Sequence, residues 1–394
     1  MRVAFVSEVW APEVDGLVTR LERTVEALRA DGHEVLVVAP TAGTAVPGVL
    51  ETRTRGLRLP FLYGGRRWAL PDGVVARALR AFVPDVVHVV NPVLMGVVGA
   101  RWALPRYPVV VSYHTDVATY AGHYHLGIFE GVVHRSMRQA YRPADVRLAT
   151  SSVGREHLAE IGIDDVRLWA RGVDLAAFRP GRDGSALRAR LRAPVRPVAG
   201  DDDVPVALHV GRVATEKGTD RLARLASAEP PVHLALVGDG PDRRRLETEL
   251  AGRQVTFTGL LRGDDLADAY AAADALVFAS TTDTLGLVLL EAMASGLPVV
   301  ALDSPTSRAT LAGYGPATFV ARAAPPGAWN TAVHAASDAA RRAGDARGAG
   351  SPGRTAVRAA AARPTDDWAC ATRRLVEDVY ADAVRRGAAR LARR

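Results

Sequence analysis

The feature that most constrains this chain is a pattern that occurs twice: a short apolar run, a longer stretch with apolar residues at helical spacing, then another apolar run. In the first half, Arg2 to Val6, His33 to Ala39, Val86 to Val90 and Val109 to Tyr113 read as strands buried on both faces. Leu17 to Ala30 and Gly73 to Phe82 read as helices between them, which predicts a parallel sheet with crossover helices. The pattern breaks around Pro180, and Pro194, Pro197 and the run Asp201-Asp202-Asp203 predict a linker. A second series follows, with strands at Val206 to Val210, His233 to Val237, Val255 to Thr258, Ala275 to Phe278 and Pro298 to Ala301. The expected fold class is α/β, with two Rossmann-like domains whose parallel sheets face each other across a cleft. Residues 1–185 form the first domain, 186–203 the linker and 204–365 the second domain; a last amphipathic helix, within 366–394, is expected to pack back on the first. From about Ala343 to Pro364 the sequence is rich in Ala, Gly and Arg and is expected to be poorly ordered.

A length of 394 residues suits two domains of ordinary size, and 48% hydrophobic with 24% charged residues is the composition of a soluble enzyme. A formal charge of +7 favours anionic partners, nucleotide phosphates and acidic lipid head groups among them. Nucleic acid is not expected: zinc-finger spacing, an RNA-binding aromatic signature and a long basic arm are all missing from the sequence. The single cysteine, Cys370, leaves no internal disulfide framework and points to the cytoplasm. Met1 to Ser7 reads as a strand rather than a signal peptide, and no apolar run is long enough to span a bilayer. Arg135, Arg138, Arg142 and Arg147 around Met137 and Tyr141, with the Arg-rich stretch Arg385 to Arg394, read equally as a solvated surface or as peripheral docking to the anionic inner face of a membrane.

Of the 50 lysines and arginines, all but Lys217 are arginine. In a chain so biased, one compact ammonium suits a task that a guanidinium fork does poorly, such as a point charge on phosphate; an ordinary surface lysine is the plain alternative. Lys217 lies in a Gly/Arg/Lys loop, Gly211 to Gly218, between a strand and a helix, where loop amides and the helix N-terminus carry partial positive charge. Val237-Gly238-Asp239-Gly240-Pro241 lacks the third glycine of a dinucleotide fingerprint and reads as a tight strand-to-helix turn. His123 and His125 lack a third convergent ligand, and Asp201-Asp202-Asp203 reads as a solvated run, so no metal and no cofactor is expected.

The most specific segment runs from Asp283 to Val300. Asp283 stands in a loop, Gly286 lets the backbone approach a ligand, and the helix that follows carries Glu291. Two carboxylates astride a helix start can grip hydroxyls at either end of a sugar nucleotide while the first helix amides face its diphosphate; a buried helix with a chance acidic pair is the alternative. This segment resembles the E-x7-E motif of retaining glycosyltransferases of family 4, with Asp283 in place of the first glutamate. Gly211-Arg212, Glu216-Lys217-Gly218, Gly238-Asp239-Gly240-Pro241, Phe257-Thr258-Gly259-Leu260-Leu261 and Ser112-Tyr113-His114-Thr115-Asp116 match as well. Arg167-Leu168-Trp169-Ala170-Arg171-Gly172-Val173-Asp174 is similar to the subgroup of sulfoquinovosyltransferases and actinobacterial α-mannosyltransferases.

The resemblance implies the GT-B fold and a retaining, metal-independent hexosyltransferase that takes a UDP- or GDP-linked sugar and glycosylates a hydroxyl of a lipid or small-molecule acceptor. It puts Arg212 and Lys217 on the donor diphosphate, Glu291 on the ribose, Asp283 on sugar hydroxyls, and Leu285, Gly286 and Leu287 along the donor. Leu261 flanks the base, His114 faces the donor sugar, and Gly16 matches the glycine loop that approaches the diphosphate. Three departures stand out: Asp15 where many relatives have a second glycine, Asp283 itself, and Leu302-Asp303-Ser304 where a Gly-Gly turn is usual. They keep two alternatives open, a GT-B sugar-nucleotide epimerase and a non-catalytic sugar-nucleotide-binding protein.

Overall fold

The computed structural model describes residues 1–13, 16–44, 46–58, 67–69, 73–93, 95–114, 130–192, 204–281, 283, 285–325, 327–345 and 364–393. Asp15, Thr115, Asp116, His123, His125, Pro194, Pro197, Asp201 to Asp203 and most of the Ala/Gly/Arg-rich stretch lie outside the described residues. The chain divides into two compact units: Met1–Gly172 with Asp366–Arg394, and Val173–Thr365.

The first unit is built on a parallel sheet of β1 (Arg2–Ser7), β2 (Glu34–Ala39), β3 (Leu50–Arg53), β6 (Val86–Val90), β7 (Val109–Tyr113), β8 (Val146–Ala149) and β9 (Val166–Leu168). Its order is β3-β2-β1-β6-β7-β8-β9, so the chain winds one way from β1 to β3 and the other way from β6 to β9. A short antiparallel pair, β4 (Gly56–Arg58) and β5 (Arg67–Ala69), lies apart from it. Alternate residues of the central strands feed the two faces. Ala4, Val6, Val87, Val89, Val109 and Val111 join one core with Leu79, Phe82, Met95 and Tyr141 from helices Val74–Phe82, Met95–Ala103 and Glu130–Tyr141. On the other face Phe5 and its register partner His88 meet Trp169 and, from the C-terminal segment, Tyr380.

That C-terminal segment completes the first sheet's second face. Helix Trp368–Arg374 starts at Asp367, whose carboxylate accepts from the Cys370 amide at 2.7 Å. A π-helical turn over Leu375–Tyr380 follows, and helix Ala381–Ala392 ends the element. Arg390 anchors it: Nε and Nη2 donate to the two oxygens of Asp145 at 2.9 and 2.7 Å, and the same guanidinium reaches the carbonyls of Leu104 and Tyr107. Asp145 also accepts from the amide of Val109 at the start of β7.

The second unit carries β10 (Val206–Val210), β11 (His233–Val237), β12 (Val255–Gly259), β13 (Ala275–Phe278), β14 (Val299–Leu302) and β15 (Ala317–Val320), in the order β12-β11-β10-β13-β14-β15. Its winding reverses between β10 and β13, paired Leu208 to Leu276. The boundary between the units falls at Gly172, ahead of the expected edge at 185, and the first part of the expected linker 186–203 is a helix of the second unit, Ser185–Arg192. Leu187 and Leu191 are buried, and Arg188 donates to the carbonyl of Ala272 and to the buried Asp274 carboxylate at 2.8 Å. The prolines after Arg192 hide this helix in the sequence, because two leucines on one face of a short arginine-rich segment give little periodic signal.

Asp145 is 3% exposed, and removing its cation leaves a buried charge. Arg390→Met is therefore expected to lower stability by about 3 kcal/mol, and adding Asp145→Asn to recover part of the loss, since the amide oxygen still accepts from Val109. Urea denaturation of the single and double variants checks this; an Arg390→Met chain as stable as wild type contradicts it.

Candidate functional site

In open α/β sheets the loops at the carboxyl ends of the strands, at the point where the winding reverses, leave room for a ligand. In the second unit those loops follow β10 and β13. After β10 the chain passes Gly211 and Arg212 into a single 3-10 turn, Thr215–Lys217, and then helix Thr219–Ser227. Gly218 between them adopts φ 82°, and a Cβ there would lie 2.4 Å from the carbonyl oxygen of Ala279 at the end of β13. Only glycine lets the two loops approach so closely. Ser280 Oγ donates to the Glu216 carbonyl across the same contact. From behind, Asp242 accepts from the hydroxyls of Thr215 and Thr219, at 2.9 and 2.6 Å, and so brackets the turn that carries Lys217.

The Gly238-Asp239-Gly240-Pro241 loop is the backing of this structure. A Cβ on Gly238 would sit 1.9 Å from the Gly211 carbonyl oxygen, and Gly211 and Val213 donate their amides to Val237 and Asp239. Its glycines serve backbone-to-backbone packing, in keeping with the tight-turn reading.

The juxtaposition brings Lys217 and Asp283 together, Nζ to Oδ2, at 2.7 Å. The other carboxylate oxygen accepts from the amides of Gly286 at 2.9 Å and Leu285 at 3.2 Å. Burial opposes ionisation of Asp283, but the ammonium and the two amides outweigh it and hold the carboxyl below the usual carboxylate range. Helix Leu287–Ser295 starts from Gly286 in the left-handed conformation, φ 60°, without a side-chain cap. Its N-terminal dipole therefore lies beside an ammonium. Arg212 pairs with Glu216 at 3.6 Å. Glu291, one turn into the helix, accepts from the phenol of Tyr270 at 2.5 Å, and burial together with Glu291 keeps that phenol protonated.

Two of these partners have no motif in the sequence. Tyr270 reads there as one more apolar residue of a helix, and His209 as part of strand β10. His209 is buried, its Nε2 finds no hydrogen-bond partner among the described residues, and it would lie 3.8 Å from a Cβ on Gly211. Burial, with Lys217 adding to it against weaker opposing contacts, brings its pKa down to about 4. Leu261 follows β12, the edge strand, with β11 between it and β10.

In the first unit the winding reverses between β1 and β6. Gly16 is exposed at the first position of helix Gly16–Ala30. Glu8, just past β1, accepts from the amides of Val93 and Gly96 and so caps helix Met95–Ala103. His114, just past β7, is wholly buried. Its Nε2 is 2.9 Å from Ser112 Oγ, its amide donates to Asn91 Oδ1, and its ring stands edge-on to Trp169. The opposite attraction on Trp169 comes from Arg20, whose guanidinium lies 4.1 Å over the indole and donates to the carbonyls of Trp169 and Ala170. Burial, then Arg20 and His88, push the His114 pKa well below its ordinary value, so the ring is neutral. Burial and Arg171 bring Arg20 itself down to about 9.

Thus Lys217, Asp283, Leu285, Gly286, Leu287 and Glu291 gather at one reversal point, with Arg212 on the same loop as Lys217, while Gly16 and His114 belong to the loops of the first unit. Two parallel Rossmann-like sheets of this kind make up the GT-B fold. Residues 14–177 match the family described as Glycosyltransferase Family 4, and residues 204–337 match Glycosyl transferases group 1. The chain is 39% identical over 311 residues to the GDP-mannose-dependent alpha-mannosyltransferase of Mycobacterium tuberculosis, covering 77% of this chain and 79% of that one. It is 34% identical over 297 residues to the sulfoquinovosyl transferase SQD2 of Arabidopsis thaliana, covering 73% and 56%. The fold matches the crystal structure of Anabaena HepE in complex with UDP and glucose, with a TM-score of 0.71 at 20% identity over 97% of this chain and 100% of that one. The chain belongs to glycosyltransferase family 4.

The buried histidines make stability depend on pH. Near pH 6.5 and below, the unfolded chain takes up a proton that folded His209 refuses until about pH 4 and His88 until about pH 3. Their folded pKa values are depressed, so the unfolded state binds more protons and stability falls as pH drops from 6.5 toward 4. His209→Gln is expected to flatten that fall by about 1.4 kcal/mol per pH unit, read from urea denaturation at a series of pH values. An unchanged slope would mean that His209 titrates alike in both states.

Proposed function

We propose that this glycosyltransferase is a retaining, metal-independent hexosyltransferase that moves a hexosyl unit from a UDP- or GDP-linked sugar to a hydroxyl of a lipid or small-molecule acceptor. The observation that carries the reading is the ammonium of Lys217 at the uncapped start of helix Leu287–Ser295, with carboxylates at Asp283 and Glu291 on either side of that start. An ammonium and a helix N-terminus suit a diphosphate, and flanking carboxylates suit hydroxyls. The names of the relatives, a GDP-mannose-dependent mannosyltransferase and a sulfoquinovosyl transferase, support a hexose donor and make GDP-mannose the first to try.

In this reading the bond between the anomeric carbon and the diphosphate oxygen breaks, and the acceptor oxygen bonds to that carbon on the same face. The acceptor proton passes to the leaving diphosphate, whose charge Lys217 and Arg212 stabilise, so no side-chain nucleophile is assigned. Glu291, steadied by Tyr270, takes the ribose hydroxyls and Asp283 those of the sugar. From the first unit, the loops after β1 and β7, which carry Gly16 and His114, are assigned to the substrate; His114 itself is buried and neutral with Nε2 2.9 Å from Ser112 Oγ, so its part is to order its loop.

Peripheral contact with anionic lipid is part of the same proposal, but much of the basic surface is occupied. Arg138, Arg142 and Arg147 donate to backbone carbonyls, and Arg386 pairs with Asp165 and Asp382. Among the described residues of these two stretches, exposed Arg135 and Arg393 are assigned to carry it. Among the described residues no helix is long and apolar enough to cross a membrane.

Lys217→Ala and Arg212→Ala are each expected to lower kcat by about 10² to 10³, the usual loss for one donor that faces developing charge. Lys217→Arg is expected to be impaired as well, because a planar fork does not replace a compact ammonium. Steady-state transfer from GDP-mannose and from UDP-sugars, with circular dichroism to confirm folding, tests this. Wild-type turnover by folded Lys217→Ala sinks the assignment, and binding without transfer or hydrolysis favours a non-catalytic binder.

A further inference from the structure

The Asp283 carboxylate uses both of its oxygens: Oδ2 on the Lys217 ammonium, Oδ1 on the amides of Gly286 and Leu285. An ammonium and two neighbouring amides at a helix start are a donor set fit for a phosphate oxygen. The amide contacts also explain why aspartate stands where glutamate is usual. A side chain of this length closes a turn onto backbone amides two and three residues on, and one methylene more spoils that geometry.

We infer, building on the sugar-nucleotide reading above, that Asp283 acts as an internal competitor for the anion-binding donors and so selects a sugar diphosphate over a bare diphosphate. An oxygen of either ligand that takes the Lys217 N–H now given to Asp283 displaces the carboxylate, which is only 17% exposed. A sugar nucleotide brings hydroxyls that can donate to the displaced carboxylate. GDP, UDP or pyrophosphate brings further negative charge and no hexosyl hydroxyls, and leaves the carboxylate desolvated beside it. The same asymmetry speeds release after transfer: once the sugar has gone, Asp283 regains Lys217 and the diphosphate loses its principal cation.

Isothermal titration calorimetry of the full chain with inorganic pyrophosphate, GDP and UDP, and with GDP-mannose set against GDP, at fixed ionic strength tests the inference. Asp283→Asn and Asp283→Ser can both still accept from the Gly286 amide, so the turn persists while the charge is gone. Both are expected to bind pyrophosphate and the preferred diphosphate about tenfold tighter than wild type, the scale of one charged hydrogen bond that no longer competes. Both should also lose the preference for a sugar nucleotide over its own diphosphate, while Lys217→Ala binds all of them more weakly. If Asp283→Asn and Asp283→Ser bind no tighter than wild type although Lys217→Ala is weakened, the competitor role is wrong and the donor-site reading stands. If Lys217→Ala binds all three ligands as wild type does, the donor-site reading fails and takes this inference with it.

Discussion

The rest of this structure depends on how a parallel sheet reverses its winding. Right-handed crossovers send the chain outward from β1 and β10 on one side, and from β6 and β13 on the other. The helices that follow neighbouring strands at that point lie on opposite faces, and the loops between them are free of cover at the carboxyl ends. The Gly211–Gly218 loop and the Ser280–Gly286 loop meet there because β10 and β13 are adjacent, although 66 positions separate Lys217 from Asp283. Two features of the second unit's site follow from that adjacency: the near contact of Gly218 with Ala279 and the Lys217–Asp283 ion pair.

Charge is handled differently in the two units. In the first, Arg20 is wholly buried and is balanced by the face of Trp169 and two carbonyls, a fixed arrangement that also sets the edge of Trp169 against His114. Burial first, and this cation second, lower the pKa of His88 and His114, which stay neutral. In the second unit the cation keeps a partial opening to solvent, with the Lys217 side chain 23% exposed, and its counter-charge is the Asp283 carboxylate, 17% exposed. The buried arginine is neutralised by a ring face and carbonyls, and the half-open lysine by a full negative charge.

Most of the strands and the principal loops can be read from the chain. Fully buried parallel strands must be apolar on both faces, so Val86 to Val90 or His233 to Val237 announce themselves without alternation. Lys217 announces itself by the arginine bias around it, and Gly286 as a glycine ahead of a helix; that it adopts φ 60° there is known only from the structure. Helix Ser185–Arg192 does not, because its burial rests on two leucines and an arginine bonded to Asp274, a residue of a distant strand edge. Tyr270 and His209 escape for the same reason: each looks like core, and only its neighbour in space makes it polar machinery.

The sequence by itself determined the class of fold, the central strands of both sheets, and the loops that carry Lys217, Asp283 and Glu291. These follow from local periodicity, from which residues tolerate burial or left-handed backbone, and from motifs carried by contiguous residues. Only the tertiary structure decided what those residues hold. Asp283 is committed to Lys217 and to two amides, Glu291 to Tyr270, and His114 to a buried place against Trp169. The physical reason is that a charged or polar side chain is fixed by the nearest complementary group in space. Strand order, which brings distant loops to one reversal point, selects that group.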